Sequence, residues 1–165
     1  MKTLIIFAHT FWEDSKVNKT LLESAKDLQS VAIHNLSTTY KDGKIDVESE
    51  LKLLKEADKI IFQFPLFWFN TPALLKEWQD RVLTAILYGS DKELLKGKKF
   101  QVITTLGGAK SSYDGHHGYA LDTLLSPLYY AFEYSGCKSV KHYAIFSASV
   151  NNLDINAYQN AIKQS

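Results

Sequence analysis

The sequence has little of three features that would assign it to a special class of protein. Its 165 residues include one cysteine, Cys137, which excludes an internal disulfide and a cysteine-based metal cluster, and no metal site is expected. Lysine plus arginine (19) nearly cancels aspartate plus glutamate (18), so no basic surface for nucleic acid is expected. No apolar run reaches the roughly 20 residues of a membrane-spanning helix, because Gln63, Pro65 and Asn70 interrupt the longest one. These absences predict a soluble, cytoplasmic protein without membrane insertion.

The composition fits a single globular domain that covers residues 1–165. Apolar residues make up 45% of the chain and charged residues 22%, which is the balance of a domain with a proper core. The apolar stretch at residues 4–8 is short and lacks a small-residue cleavage site. We therefore interpret it as a buried first strand and not as a secretion signal.

Short apolar runs alternate with longer segments of helical periodicity, which is the pattern of βαβ units. The predicted strands cover residues 4–8, 31–35, 59–64, 100–105 and 142–146, and helices are predicted at 17–28, 47–57, 72–87, 121–135 and 153–162. This pattern predicts an α/β flavodoxin-like three-layer sandwich with a five-stranded parallel sheet of order 2-1-3-4-5. In that order a ligand lies at the carboxyl ends of strands one, three and four.

The loop after the predicted third strand is unusually rich in aromatic residues. Pro65 ends the strand and Pro72 suits the first turn of the next helix. Four of the six positions from 64 to 69 are aromatic, which suits the wall of a site for a flat, conjugated ligand. The alternative is a satellite hydrophobic cluster beneath a loop.

The loop after the first strand contains the residue types of a phosphate site. Ser15, Lys16 and Asn18 precede or begin a predicted helix, whose free N–H groups and dipole favour an anion, and His9 can approach the same phosphate. The alternative is that Asp14 or Ser15 is an ordinary N-cap and that His9 bonds only to backbone. No GxGxxG or GxxxxGK[ST] motif is present here, so neither a dinucleotide Rossmann site nor a P-loop is supported.

The loop after the fourth strand, residues 104–118, is long and rich in glycine. Gly107 and Gly108 allow backbone amides to come close to a ligand. Tyr113 and His117 can donate hydrogen bonds to an oxygen that gains negative charge during a reaction. The alternative is an exposed hairpin with polar tips.

Residues 64–82, FPLFWFNTPALLKEWQDRV, are similar to the proline-aromatic loop and following helix of the short flavodoxin-like NAD(P)H:quinone oxidoreductases. These bacterial proteins include the ancillary quinone reductase of glutathione-gated potassium efflux. The segment SKVN at 15–18 resembles the family's Ser-x-x-Asn phosphate loop, and TLGG at 105–108 with Tyr113 and His117 resembles its glycine loop and tyrosine-histidine pair. The resemblance covers nearly the whole chain.

The resemblance implies a bound flavin, with FMN favoured over FAD because the chain is short. The implied flavin contacts, from the phosphate to the pyrimidine edge, are His9, Ser15, Val17, Asn18, Pro65, Leu66, Phe67, Trp68, Phe69, Thr105, Gly107, Gly108 and Tyr113. Tyr113 and His117 would be the catalytic pair beside the flavin carbonyl, which accommodates charge when hydride arrives. The family's Thr-Thr-Gly-Gly is interrupted here by Leu106, so the resemblance does not decide whether a threonine hydroxyl contacts the flavin. The spacing from Tyr113 to the histidine is short, which leaves His116 as an alternative to His117.

The activity implied by the resemblance is ping-pong reduction of a quinone or similar small acceptor, with NAD(P)H as co-substrate. Family members are homodimers, so a homodimer is expected. The main alternative is a flavin-binding regulatory or ancillary subunit of a transporter. A simple flavodoxin-type electron carrier is less favoured, because such carriers are usually strongly acidic and this chain carries a formal charge of +1.

Overall fold

The computed structural model describes residues 1–164. Its strands form one parallel sheet in the order β2-β1-β3-β4-β5, and β6 also pairs with β4. The strands are β1 (Thr3–Phe7), β2 (Val31–Asn35), β3 (Lys59–Pro65), β4 (Lys99–Thr105), β5 (Lys138–Ser139) and β6 (Tyr143–Ile145). The helices are α1 (Val17–Ala25), α2 (Leu36–Thr39), α3 (Val47–Glu56), α4 (Ala73–Tyr88), α5 (Leu121–Tyr134) and α6 (Ile155–Lys163).

Helices cover both faces of the sheet, because successive residues of each central strand point to opposite sides. Ile5 of β1 belongs to one buried cluster with Leu21 of α1 and Tyr158 of α6. Its neighbour Ile6 belongs to the other cluster, with Trp78 of α4. Every residue of β1 and β3 is buried, so the strand ends that carry the ligand-side loops are fixed on both faces.

The predicted fold class and strand order are confirmed, with two local differences. The short helix α2 lies where no element was predicted. The predicted fifth strand, residues 142–146, is β6, and the structure adds the unpredicted two-residue strand β5 before it, so the part of the chain from residue 1 to 164 forms six strands and not five. Within that same range, none of the helices combines the length and the apolar character needed to cross a bilayer.

β5 and β6 pair with β4 in two different registers. β4 pairs Phe100 with Ser139 but Ile103 with Tyr143, so the edge supplies one residue more than β4 between these pairs. The Tyr129 hydroxyl fills the gap: it accepts a hydrogen bond from the N–H of residue 102 at 3.1 Å and donates one to the carbonyl of residue 140 at 2.9 Å. The Tyr129 side chain on α5 therefore replaces a missing backbone hydrogen bond between β4 and the neighbouring edge segment.

Replacing Tyr129 by phenylalanine should lower the free energy of unfolding by about 1–3 kcal/mol, because a partly buried N–H and a carbonyl both lose their partner. Burial raises the pKa of Tyr129 to about 12, so the hydroxyl remains a donor through neutral pH. Urea unfolding of Tyr129→Phe measures the effect. Tyr130→Phe is the matched control, since that side chain is 70% exposed on the same helix and its loss should change stability by less than about 0.5 kcal/mol. Equal stability of the two variants would contradict the bridging role.

Candidate functional site

A cavity of about 450 Å³ lies at the carboxyl ends of β1, β3 and β4, where the three loops meet. It is lined by His9, Phe11, Asp14, Ser15, Lys16, Val17, Asn18, Pro65, Leu66, Phe67, Thr105, Leu106, Gly107 and Ala148. A larger concavity of about 580 Å³ lies between α1 and the edge strand β2, away from the aromatic and glycine loops. We assign the site to the smaller one, because it alone collects the predicted groups from all three loops.

The structure gathers most of the predicted site residues but not all of them. The predicted residues at the cavity are His9, Ser15, Val17, Asn18, Pro65, Leu66, Phe67, Thr105 and Gly107, whereas Trp68, Phe69, Gly108, Tyr113 and His117 do not line it. Phe11, Asp14, Leu106 and Ala148 line the cavity without having been predicted as ligand contacts. For Ala148 the available signal was topological, since the loop after the last strand ends at the same sheet edge as the loop after β4.

The start of α1 supports an anion site and contradicts the N-cap alternative. Its N-cap position is Lys16, and no side chain caps the helix, so neither Asp14 nor Ser15 has that role. Ser15 and Asn18 are nevertheless buried, with exposures of 6% and 2%. The helix therefore starts with N–H groups that no side chain caps, beside two buried polar residues that line the cavity.

Asn18 carries an unpaired buried atom at this end of the cavity. Its Nδ2 donates to the Thr105 hydroxyl at 3.1 Å, while Oδ1 has no partner among residues 1–164. Rotating the carboxamide by 180° lets Thr105 donate to Oδ1 and leaves the NH₂ group as the unpaired atom. In that orientation Asn18 offers a donor, which is what a phosphate oxygen requires.

His9 supplies a neutral donor beside the same helix. Its Nδ1 accepts a hydrogen bond from the N–H of Phe11 at 3.0 Å, so the proton of the neutral ring is on Nε2. Burial, and then the nearby charge of Lys19, lower the pKa of His9, which keeps the imidazole neutral at pH 7. The ring packs edge-on against Phe67, with centroids 5.4 Å apart.

The aromatic loop is a tight turn that exposes its central rings. Phe67 and Asn70 exchange two backbone hydrogen bonds of 3.0 and 2.9 Å around Trp68 and Phe69. Those two residues have φ of 46° and 65°, the pattern of a type I′ turn, which usually needs Asn or Gly and costs these aromatics about 1–2 kcal/mol each. Trp68 is 92% exposed and Phe69 59%, so the loop is not a satellite core cluster. The turn instead exposes the rings of Trp68 and Phe69 to solvent, next to Phe67 in the chain.

The Tyr113 ring packs against other rings, whereas the nearby histidines are exposed. A Cβ on Gly108 would lie 3.0 Å from Tyr113 Cε2, so glycine at this position makes room for the phenol ring. Phe146 and Phe69 pack around the same ring, with centroids 5.9 and 6.5 Å away. Tyr113 and Phe146 line a neighbouring cavity of about 390 Å³. His116 and His117 are both exposed and line neither cavity.

Backbone bonds to the loop after β6 hold the glycine segment in place. Ser147 N–H donates to the Gly108 carbonyl at 2.8 Å, and Ala148 N–H donates to the Leu106 carbonyl at 2.9 Å. Within the part of the chain that the structure describes, the N–H groups of Gly107 and Gly108 have no protein acceptor. These two donors are therefore available to a ligand at the end of β4.

Comparison with known proteins agrees with this geometry. The model of the flavodoxin-like fold family Flavodoxin_2 matches residues 1–165. The NAD(P)H oxidoreductase YrkL of Bacillus subtilis is 38% identical over 141 residues, with 84% of this chain and 81% of YrkL covered. The potassium-efflux ancillary protein KefG of Cronobacter sakazakii is 41% identical over 129 residues, with 76% of this chain and 70% of KefG covered.

Among solved structures, general stress protein 14 of Treponema denticola in complex with FMN superposes with a TM-score of 0.85 at 30% identity, with 99% of this chain and 94% of that chain covered. The chain therefore belongs to the flavodoxin-like family of NAD(P)H oxidoreductases and quinone reductases.

Proposed function

We propose that this chain is a flavin-dependent NAD(P)H oxidoreductase that reduces quinones or similar acceptors by two electrons in a ping-pong reaction. One observation carries the proposal: an uncapped helix start, with one unpaired amide atom on the buried Asn18, lines a cavity that the aromatic loop and glycine loop complete. A polar, donor-rich end beside an apolar slot suits a ligand with a phosphate at one end and a flat ring system at the other.

The residues present fit FMN. Ser15, Asn18 and the N–H groups at the start of α1 would bind the phosphate, with His9 beside it. The loop from 65 to 69 would line the ring system, and Thr105 with the glycine loop would meet its pyrimidine edge. When bound, the flavin supplies hydride acceptance from NAD(P)H and two-electron delivery to the acceptor. The complex of general stress protein 14 with FMN supports FMN over FAD.

The visible spectrum of the purified protein tests the proposal directly. A flavin-type absorbance, followed by heat release and mass identification of FMN at about one equivalent per chain, is the expected result. A colourless protein that also fails to bind added FMN or FAD would overturn it.

We further propose that Tyr113 and His117 would offer hydrogen bonds to the bound ring system, which would favour its acceptance of a hydride. Tyr113→Phe and His117→Ala should each slow reduction by NADPH about tenfold or more in stopped-flow measurements, with FMN affinity changed by less than about threefold. His116→Ala is the matched control, because both histidines are exposed on one loop. Unchanged reduction rates in the first two variants would contradict the role of Tyr113 and His117. Slow reduction by His116→Ala with a normal rate for His117→Ala would assign that role to His116 instead of His117.

A second candidate function is an ancillary subunit that binds flavin and acts mainly by docking on a transporter, which the similarity to KefG favours. Steady-state oxidation of NADPH in the presence of a benzoquinone separates the two. Rapid turnover supports the enzyme, and tightly bound flavin without turnover supports the ancillary role. We propose a homodimer in either case, for which light scattering should give twice the chain mass of 18.7 kDa.

A further inference from the structure

The backbone of His9 is held by the hydroxyl of a residue 28 positions further along the chain. Ser37 Oγ accepts a hydrogen bond from the His9 N–H at 2.9 Å and donates one to the His9 carbonyl at 3.1 Å. The Ser37 hydroxyl thus pairs with both the N–H and the carbonyl of His9, which lies in the loop that follows β1. The contact joins this loop to α2, the short helix that follows the neighbouring strand β2.

Contacts at both ends hold α2 in place. The Asn35 side chain caps its start by accepting from Ser37 N–H at 3.0 Å, and Leu36 is fully buried in the core. At its other end Tyr40 N–H donates to the Leu36 carbonyl at 2.8 Å, and the Tyr40 hydroxyl donates to the buried carboxylate of Glu50 on α3. Ser37 is therefore presented to His9 from a rigid support.

The contacts of His9 with Ser37 and Phe11 leave one imidazole nitrogen available to a ligand. Ser37 occupies both backbone groups, and the Phe11 N–H occupies Nδ1, so Nε2 is the imidazole atom left without a protein partner among residues 1–164. His9 lines the same cavity as Ser15 and Asn18, so its remaining donor is available to a ligand bound there.

We propose that Ser37 is a positioning residue that holds the His9 imidazole in place to donate a hydrogen bond to the phosphate of the bound flavin. This inference rests on the proposed function. Ser37 does not line the cavity, so its effect on a ligand passes through the backbone of His9.

Comparing FMN with riboflavin, which has the same ring system and no phosphate, isolates that effect. Flavin-free Ser37→Ala should bind FMN about tenfold more weakly than wild type, as fluorescence quenching would measure, because one polar contact worth about that factor is lost. Its affinity for riboflavin should change by less than about twofold. Ser37→Thr keeps the hydroxyl and should restore FMN binding.

Thr38→Ala is the matched control. Thr38 is the next residue of α2 and its hydroxyl donates to the Asn35 carbonyl at 3.0 Å, without contacting His9. It should leave both affinities unchanged, and urea unfolding of the two variants checks that a loss of affinity is not a loss of folding. In a double-mutant cycle, Ser37→Ala should have almost no further effect once His9 is alanine.

Each result decides the inference. Parallel loss of FMN and riboflavin affinity, or additive effects of the Ser37 and His9 substitutions, would overturn the positioning role while leaving the proposed function intact. A wild-type protein that binds neither ligand would overturn both.

Discussion

Replacing Glu50 by alanine is expected to lower the free energy of unfolding by about 3–5 kcal/mol. The Glu50 side chain is fully buried and accepts hydrogen bonds from His34 Nε2 and Trp78 Nε1, each at 2.7 Å, and from the Tyr40 hydroxyl. Removing the carboxylate leaves these donors without a partner in a region that water does not reach. Urea unfolding at pH 7 measures the loss.

The neighbouring Glu48 provides the control, because it lies on the same helix and its pair with Lys52 is exposed. Glu48→Ala should change stability by less than about 1 kcal/mol. Similar losses for the two variants would show that the buried network does not stabilise α3 as described.

The Glu50 network also predicts how stability changes with acid. Burial raises the pKa of Glu50, but hydrogen bonds from His34, Tyr40 and Trp78 outweigh it and hold the pKa below its ordinary value of 4.5. The stability contributed by this carboxylate is therefore present above pH 4.5 and is lost as the pH falls through the folded-state value. Glu50→Gln should lose less stability than wild type over that range, and an identical acid dependence would contradict the assignment.

The second large effect should come from Asn18→Asp, which is expected to weaken FMN binding about a hundredfold at neutral pH. The substitution keeps the shape of the side chain and allows Thr105 to donate to it, but it sets a negative charge beside the proposed phosphate position. At about 4 Å and an effective dielectric of about 20, such a repulsion is on the order of 4 kcal/mol, which is enough for this loss. Titration of the flavin-free protein with FMN measures it.

Two comparisons sharpen that result. Asn18→Ala removes the polar group without adding charge and should cost FMN affinity only about tenfold. Riboflavin, which has no phosphate, should bind Asn18→Asp much as it binds wild type. Equal losses of affinity for FMN and riboflavin would contradict the placement of the phosphate at this end of the cavity.

The strands and much of the cavity wall could be predicted because their signals are local. The apolar runs that became β3 and β4 are flanked by helical periodicity, and strand order then brings the loops after β1, β3 and β4 to one edge. Ser15 and Asn18 were identified by residue type and position, and the structure brings both to the cavity.

The features that could not be predicted depend on distant contacts. Nothing near Ser37 in the sequence marks its contact with His9, and nothing near Tyr129 marks the gap in the edge strand that it fills. Local preference also gave no sign that Trp68 would adopt positive φ. For the histidines, the resemblance supplied a role for His117 that this structure, with the side chain exposed, does not place at either cavity.

The unequal borders of the sheet limit how these chains can associate through their backbones. β2 pairs with β1 in unbroken register over five residues and leaves its outer side as a complete template for strand addition. The opposite border is interrupted between β5 and β6, where a side chain from α5 occupies the place of a rung. Backbone pairing with another strand is therefore expected at β2 and not at the interrupted edge.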